Sequence, residues 1–211
     1  MHSASTLGLI IKEVKDLTHE GHKARAVTAS VSYATDPSDL WDAITNPERI
    51  PRWFSPISGD FHEGGKYQIE GNAGGTIITC DQPKALHLTW EMQGNVSWVM
   101  VTLEKDGDKT KLTLQHIAPI TPDAEAFWDQ YGPGAVGVGW DLSLLALDQY
   151  VRTGVQVNTP ENLEKLQSAE GVEMIKVSSR GWRDASIAYG TAVEKADAAE
   201  AATTAFYTGA G

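Results

Sequence analysis

The feature that most constrains this sequence is a series of short β-type segments in the middle of the chain. Six such segments lie between Ile57 and Ile117, and short turns containing glycine, proline, asparagine or aspartate separate them. None of the intervals is long enough for the helix that connects two parallel strands. The segments are 57–62, 66–70, 76–81, 86–92, 97–105 and 109–117. This pattern predicts an antiparallel meander.

Helical patterns and one further strand flank this meander. Residues 24–33 alternate with period two, which predicts a strand with one buried face. Asp36 and Pro37 have the residue types of an N-cap and a first helical position, so a short helix is expected to follow. Residues 136–152 carry an apolar stripe at helical spacing. The order of these elements predicts an α+β fold.

The sequence suggests three parts along the chain. Residues 1–23 are polar and weakly patterned, and we expect an N-terminal arm or an irregular first strand there. Residues 24–154 contain the α+β domain, and residues 155–211 show only helical patterns. Isolated helices of this length are marginally stable in water, so the apolar faces of this tail need a partner. We expect the tail to pack on the outer face of its own sheet or on a second subunit.

Charge and composition restrict the partners of the chain. Its 17 basic and 28 acidic residues give a net charge of −11, which disfavours nucleic acid and membrane surfaces as partners. The single cysteine, Cys80, excludes an internal disulfide, and its position on the strand face of Ile78 predicts a buried, inert thiol. We find no signal peptide, no membrane-spanning segment and no metal or cofactor motif, and we expect a cytoplasmic protein without a cofactor.

Glycines gather at 132–137, where GPGAVG matches the spacing of a dinucleotide-binding loop. That loop needs a parallel strand before it and an acidic residue about 20 positions later. Here the preceding residues, 123–131, are acidic and helical in pattern, and residues 155–157 contain no carboxylate. The dinucleotide reading therefore fails. Gly137 and Gly139 still cost a helix about 1 kcal/mol each relative to alanine, so we expect either a close neighbour or an open space beside them.

Five segments of the chain carry a resemblance to a known family. They are LWDAITNPERIPRWFSP (40–56), GGKYQIEG (64–71), GTIITCDQPKALHLTWE (75–91), VTLEKDGDKTKLTLQH (101–116) and GWDLSLLAL (139–147). Together with the element order, they resemble the helix-grip fold of the SRPBCC superfamily, which includes Bet v 1-like, START and polyketide-cyclase proteins. The nearest branch is that of bacterial proteins similar to the activator of the Hsp 90 ATPase, the AHSA-type family.

The resemblance implies a curved antiparallel sheet wrapped around a long C-terminal helix, with a cavity between them that often holds an apolar small molecule. It does not imply one chemistry, because one fold supports many functions. The candidate residues for lining this cavity are Trp53, Phe54, Tyr67, Ile69, Ile78, Leu88, Trp90, Val101, Leu114, His116, Trp128, Tyr131, Val136, Trp140 and Leu144. Simple core packing explains the aromatic members of this set equally well.

Two interpretations of His116 stay open. It shares a strand face with Leu112 and Leu114, so it should point towards the expected cavity, where it would act as a polar anchor or an acid–base group. The alternative, which we favour, is a core histidine that is hydrogen-bonded to a backbone carbonyl. In either case burial should keep its imidazole neutral at pH 7.

The function that these patterns favour is non-catalytic binding of a small hydrophobic molecule in the cavity between sheet and long helix. One alternative is a polyketide-cyclase-like or hydrolase-like enzyme that uses the same cavity, with His116 and a tyrosine such as Tyr67 or Tyr131. Another is a chaperone-regulator-like interaction module, and a homodimer also stays open. An enzyme should bring two or more polar groups together, a binding protein should show an apolar site with few anchors, and an interaction module should expose an apolar patch.

Overall fold

The computed structural model describes residues 6–209, and its strands form an eight-stranded sheet. The strands are β1 (Ile11–His19), β2 (His22–Tyr33), β3 (Ile57–Gly59), β4 (Lys66–Ile69), β5 (Gly74–Asp81), β6 (Ala85–Met92), β7 (Asn95–Asp106) and β8 (Lys109–Pro119). Their order in the sheet is β1-β2-β8-β7-β6-β5-β4-β3. Each strand from β3 to β8 pairs antiparallel with the next along the chain, so the predicted meander is confirmed.

The helices flank the meander as predicted. They are α1 (Pro37–Thr45), α2 (Pro122–Tyr131), α3 (Gly134–Thr153), α4 (Pro160–Lys165), α5 (Ala169–Tyr189) and α6 (Val193–Thr208), and a 3₁₀ turn covers Ile50–Arg52. The carboxylate of Asp36 accepts hydrogen bonds from the N–H groups of Ser38 and Asp39, at 2.9 and 3.0 Å, and so caps α1. The α+β fold class is confirmed.

The first strand is more regular than its sequence suggested. β1 has nine residues, and a two-residue turn, with φ of 49° at Glu20 and 81° at Gly21, connects it to β2. Positive φ at both turn residues matches the twist of a tight hairpin. The alternation of apolar and polar residues along β1 is weak because Lys12 occupies a covered position. An apolar residue at that position would have indicated a strand. Residues 1–5 of the expected arm lie outside the described residues.

The described residues divide into two compact units. One consists of the described residues of 1–29, 118–145 and 160–211, and we call it the tail unit. The other consists of residues 30–117 and 146–159, and we call it the sheet unit.

The glycines of α3 receive side chains from the C-terminal helices. Trp182 of α5 is 1% exposed, and a Cβ added at Gly137 would overlap with its indole ring. The N–H of Gly139 donates to the hydroxyl of Tyr207 on α6 at 3.1 Å, and that hydroxyl donates to the carbonyl of Ala135 at 2.8 Å. A close neighbour therefore lies beside each of these two glycines, and it comes from the tail.

A buried carboxylate connects three elements of the tail unit. Asp141 of α3 is fully buried, and its Oδ2 lies 3.1 Å from the ammonium of Lys12 on β1. The same oxygen accepts hydrogen bonds from the Ser178 hydroxyl at 2.6 Å and from the Trp182 indole at 3.1 Å, both on α5. Burial raises the pKa of the Asp141 carboxyl, while Lys12 and these hydrogen bonds act in the opposite direction.

The tail packs on β1 and α3 of its own unit. Gly181 of α5 lies on β1 beside the aliphatic stem of Lys12, and Trp182 packs on α3. The tail therefore covers the face of β1 on which α3 also lies, and not, as we expected, the opposite face of that strand.

A second contact fixes α2 and the end of α5. The guanidinium of Arg25 on β2 lies over the ring of Trp128 at 4.4 Å and over that of Tyr189 at 5.4 Å. It also forms ion pairs with Asp16, at 3.0 Å, and with Glu125, at 2.7 Å. Because the guanidinium of Arg25 is both ion-paired and stacked, these contacts offset the hydration that its half-buried charge loses.

We expect Gly137→Ala to destabilise the protein by about 1–3 kcal/mol, because the new methyl group would displace the Trp182 ring. Helix propensity alone predicts the opposite sign, a gain of about 1 kcal/mol. In a Trp182→Leu background the same change should be neutral or stabilising. Chemical denaturation of the four proteins measures both effects, and a stabilising Gly137→Ala change in the native background would contradict this packing.

We expect Lys12→Met to destabilise the protein by about 3–5 kcal/mol, because it leaves the Asp141 carboxylate buried without its cation. The double variant Lys12→Met/Asp141→Leu removes both charges and should recover at least half of this loss. Chemical denaturation at pH 7 provides the measurement. A Lys12→Met protein within about 1 kcal/mol of the native one would show that the ion pair does not support the tail unit.

Candidate functional site

One face of the meander in the sheet unit is apolar from β4 to β8. The strand register places Trp90 opposite Ser97 and Leu88 opposite Val99, and Val99 opposite His116. The side chains of this face, which we call the inner face, are Tyr67, Ile69, Ile77, Leu86, Leu88, Trp90, Ser97, Val99, Val101, Leu103, Leu112, Leu114 and His116. None of them carries a charge near neutral pH.

Burial varies across the inner face in a way that marks its centre. Tyr67 and Ile69 at one side are 6% and 4% exposed, and Val99 and Leu114 at the other are 3% and 5% exposed. Between them, the apolar side chains of β6 are only half-buried, and so are two residues that pack beside them: Leu86, Leu88, Trp90, Phe54 and Ile57. The centre of the inner face therefore keeps accessible apolar surface, as a small-molecule site requires.

One residue of the predicted lining is displaced by a β-bulge. The register between β5 and β6 shifts between Ile77 and Thr79. Ile77, at 8% exposure, therefore joins the buried cluster with Tyr67, whereas Ile78 stays half-buried. Strict alternation along the sequence selected Ile78, because a bulge adds a residue that alternation cannot reveal.

The polar groups of the inner face form a short hydrogen-bonded chain. The Ser97 hydroxyl lies 3.1 Å from the backbone carbonyl of Trp90 and 2.9 Å from Nε2 of His116. A hydroxyl has one hydrogen, and the tautomer of His116 sets its direction: with Nε2 protonated it goes to the carbonyl, and with Nδ1 protonated it goes to Nε2. In both tautomers the hydrogen of Ser97 is used within the protein. The Trp90 and His116 rings meet edge-on, 6.1 Å apart.

His116 is neutral near pH 7, as predicted. Its side chain is buried, and burial lowers its pKa from 6.5 to about 4 because it disfavours the charged imidazolium. A second polar group, the hydroxyl of Tyr67, donates to the carbonyl of Thr89 at 2.6 Å. Burial and the nearby carboxylate of Glu91 raise the pKa of Tyr67, so its phenol stays protonated.

Trp53 and Phe54 occupy different surroundings despite being neighbours. Phe54 packs against the buried cluster of Tyr67, Ile69 and Ile77. The indole of Trp53 donates to the carbonyl of Ala43 on α1 at 3.0 Å, and its ring lies 5.5 Å from that of Phe54. Trp53 therefore supports the position of Phe54 and is itself tied to α1.

Five further candidates of the predicted lining belong to the tail unit. Trp128 stacks on Arg25, and the Tyr131 ring lies 5.8 Å from Phe206 of α6. On α3, Leu144 is buried, while Val136 and Trp140 are half-buried. Trp128 also meets the ring of Tyr189 edge-on at 6.1 Å, so both Trp128 and Tyr131 contact aromatic residues of the tail, which strand and helix periodicity could not reveal.

Cys80 is exposed, so the expectation of a buried thiol is wrong. The bulge in β5 precedes it, and the strand has left the covered part of the sheet by that point. Burial and the carboxylates of Glu63 and Asp81 raise the pKa of the thiol, which disfavours a reactive thiolate.

Two other features are absent from the described residues. Within residues 6–209, no group of three or more histidine, cysteine or carboxylate side chains is arranged to hold a metal ion. None of the helices in the part of the chain that the structure describes is long and apolar enough to cross a membrane.

Comparisons with known proteins agree with this architecture. The sequence model of the family described as activator of Hsp90 ATPase homolog 1-like protein matches residues 34–152. The crystal structure of CalU16 from Micromonospora echinospora is 26% identical with a TM-score of 0.67, and the match covers 84% of this chain and 98% of CalU16. DynU16, a protein in the dynemicin biosynthetic locus, is 22% identical with a TM-score of 0.54, covering 62% of this chain and 48% of DynU16. No curated protein matches the chain.

These similarities confirm the helix-grip fold class, a curved antiparallel sheet with C-terminal helices. Residues 1–154 make up less than three quarters of the chain, so a match that covers 84% of it includes part of the tail. Part of the tail is therefore matched in CalU16.

We expect the stability of the protein to fall between pH 6.5 and 4, because of His116. A histidine with a lower pKa in the folded state binds fewer protons there than when unfolded, so acid favours unfolding in this window. Its contribution is full above pH 6.5, and a shift of this size corresponds to about 3 kcal/mol. His116→Gln keeps a hydrogen-bonding side chain beside Ser97 and does not titrate. Between pH 6.5 and 4 its free energy of unfolding should therefore fall by about 3 kcal/mol less than that of the native protein. Parallel stability profiles of the two proteins would contradict this assignment.

Proposed function

Because this chain belongs to the family of activator of Hsp90 ATPase homolog 1-like proteins, we propose that it binds a small hydrophobic molecule on the inner face of the sheet unit without transforming it. One observation carries this proposal. The centre of the inner face, around Leu88 and Trp90, is half-buried and apolar, while the residues on both sides of it are buried. A bound apolar molecule would remove this surface from water, which is favourable in proportion to the area covered.

The charge of the inner face indicates an uncharged ligand. His116 is neutral, and the other side chains of the face are apolar or carry only a hydroxyl. A charged ligand would lose its hydration without gaining a counter-charge, which is strongly unfavourable. The net charge of −11 adds a general repulsion of anions.

The geometry of Ser97 and His116 favours binding over catalysis. A serine nucleophile must give its hydrogen to the histidine, and the Trp90 carbonyl, 3.1 Å from the Ser97 hydroxyl, competes for that hydrogen. A general base works best with a pKa near the working pH, and burial lowers that of His116 to about 4. The pair therefore brings two polar groups together, as an enzyme would, in an arrangement that does not activate the hydroxyl.

Native mass spectrometry of the protein purified from its own host tests the proposal directly. We expect a co-purifying molecule of low mass that is released when the protein is denatured. The same preparation of Leu88→Glu, which places a charge at the centre of the inner face, should lack it.

We expect Leu88→Glu to weaken binding of the uncharged fluorescent probe N-phenylnaphthylamine by at least about tenfold, because the probe would then have to desolvate a carboxylate. Thr102→Glu is the matched control, since Thr102 is also half-buried but points to the opposite face of the sheet. Its affinity for the probe should stay within about twofold of the native value, provided that both variants melt cooperatively. Equal affinities of the two variants would contradict a binding site on the inner face.

A further inference from the structure

We infer that the molecule bound at the inner face carries a hydrogen-bond donor, such as the hydroxyl of an alcohol or phenol. This inference rests on the proposed function and adds the chemical class of the ligand to it. It follows from the direction of the hydrogen bonds that the polar groups of the inner face already make.

Ser97 has already used its only hydrogen. Its hydroxyl gives this hydrogen to the Trp90 carbonyl or to Nε2 of His116, depending on the tautomer of the histidine, so in both cases it offers a lone pair to a ligand. Ser97 is half-buried beside the half-buried ring of Trp90, so a molecule that covers this ring comes within reach of the hydroxyl oxygen.

Tyr67 has also used the hydrogen of its hydroxyl. Its hydroxyl donates to the carbonyl of Thr89 at 2.6 Å, and the phenol stays protonated because burial and Glu91 raise its pKa. The remaining capacity of its oxygen is again that of an acceptor. Its position follows from the register: Tyr67 lies opposite Gly75 on β5, and the neighbouring β6 carries Trp90 on the same face.

Nε2 of His116 is likewise occupied by Ser97, and the hydroxyl hydrogens of Ser97 and Tyr67 both point at protein atoms. A ligand with an acceptor alone, such as an ether or a ketone, would have its oxygen desolvated next to further acceptors. A ligand hydroxyl or N–H would instead meet an unshared lone pair. An anion would meet neither a donor nor a positive charge, which is the least favourable case.

Titration calorimetry with three compounds on one ring system tests this inference: naphthol, its methyl ether and naphthoate. The native protein should bind naphthol at least about tenfold more tightly than the ether, which has the same ring and oxygen but no donor. It should bind naphthoate more weakly than the ether. Thr102→Ala, on the opposite face, serves as the control and should keep this order of affinities.

Ser97→Ala provides the decisive variant. It removes the acceptor oxygen beside Nε2 of His116, so the preference for naphthol over the ether should disappear or reverse. If naphthol and its ether bind the native protein equally, the inference is overturned while the proposed function stands. An unchanged preference in Ser97→Ala would also overturn it, since the donor would then be recognised elsewhere. Binding of none of the three compounds would contradict the proposed function and the inference together.

Discussion

The buried carboxylate of Asp141 is the constraint on which the tail unit depends. A carboxylate without exposure to water is tolerated only with a cation and hydrogen-bond donors around it, and here these come from two elements other than the helix that carries Asp141. Lys12 comes from β1, and Ser178 and Trp182 come from α5. Because the same indole also fills the space that Gly137 leaves, the ion pair and the glycine specify one position for α5. An apolar cluster of equal size would bury as much surface but would not define the register.

The sheet unit is packed differently, and the function that we propose depends on that difference. Its strands keep their buried side chains at the two sides of the inner face and leave Leu88 and Trp90 half-covered between them. A core that is complete in itself would bury these residues fully, since interiors pack to high density. The family match covers residues 34–152, so it includes this face. The partners of Asp141 lie outside the match: Lys12 precedes it in the sequence, and Ser178 follows it.

The sequence predicted the elements whose signals are local and missed those that depend on distant partners. Asp36 with Pro37, and the turns between β3 and β8, act within a few residues, so α1 and the meander were predictable. β1 was not, since Lys12 fills a covered position and its partner Asp141 is far along the chain. The bulge that exchanges Ile77 for Ile78 arises from pairing with β6, which no alternation within one strand records. The glycines were recognised as unusual, but the residue that required them lies in the tail.

A serine beside a histidine is commonly read as the start of a catalytic site, and Ser97 with His116 shows why that reading needs the direction of each hydrogen bond. The two side chains lie 2.9 Å apart, as a nucleophile and its base would. The Trp90 carbonyl, 3.1 Å from the Ser97 hydroxyl, competes with the imidazole for the serine hydrogen. Burial keeps the imidazole neutral and lowers its pKa to about 4, so it is a weak base. A carbonyl of β6 and the burial of His116 thus both oppose transfer of the serine proton to the imidazole.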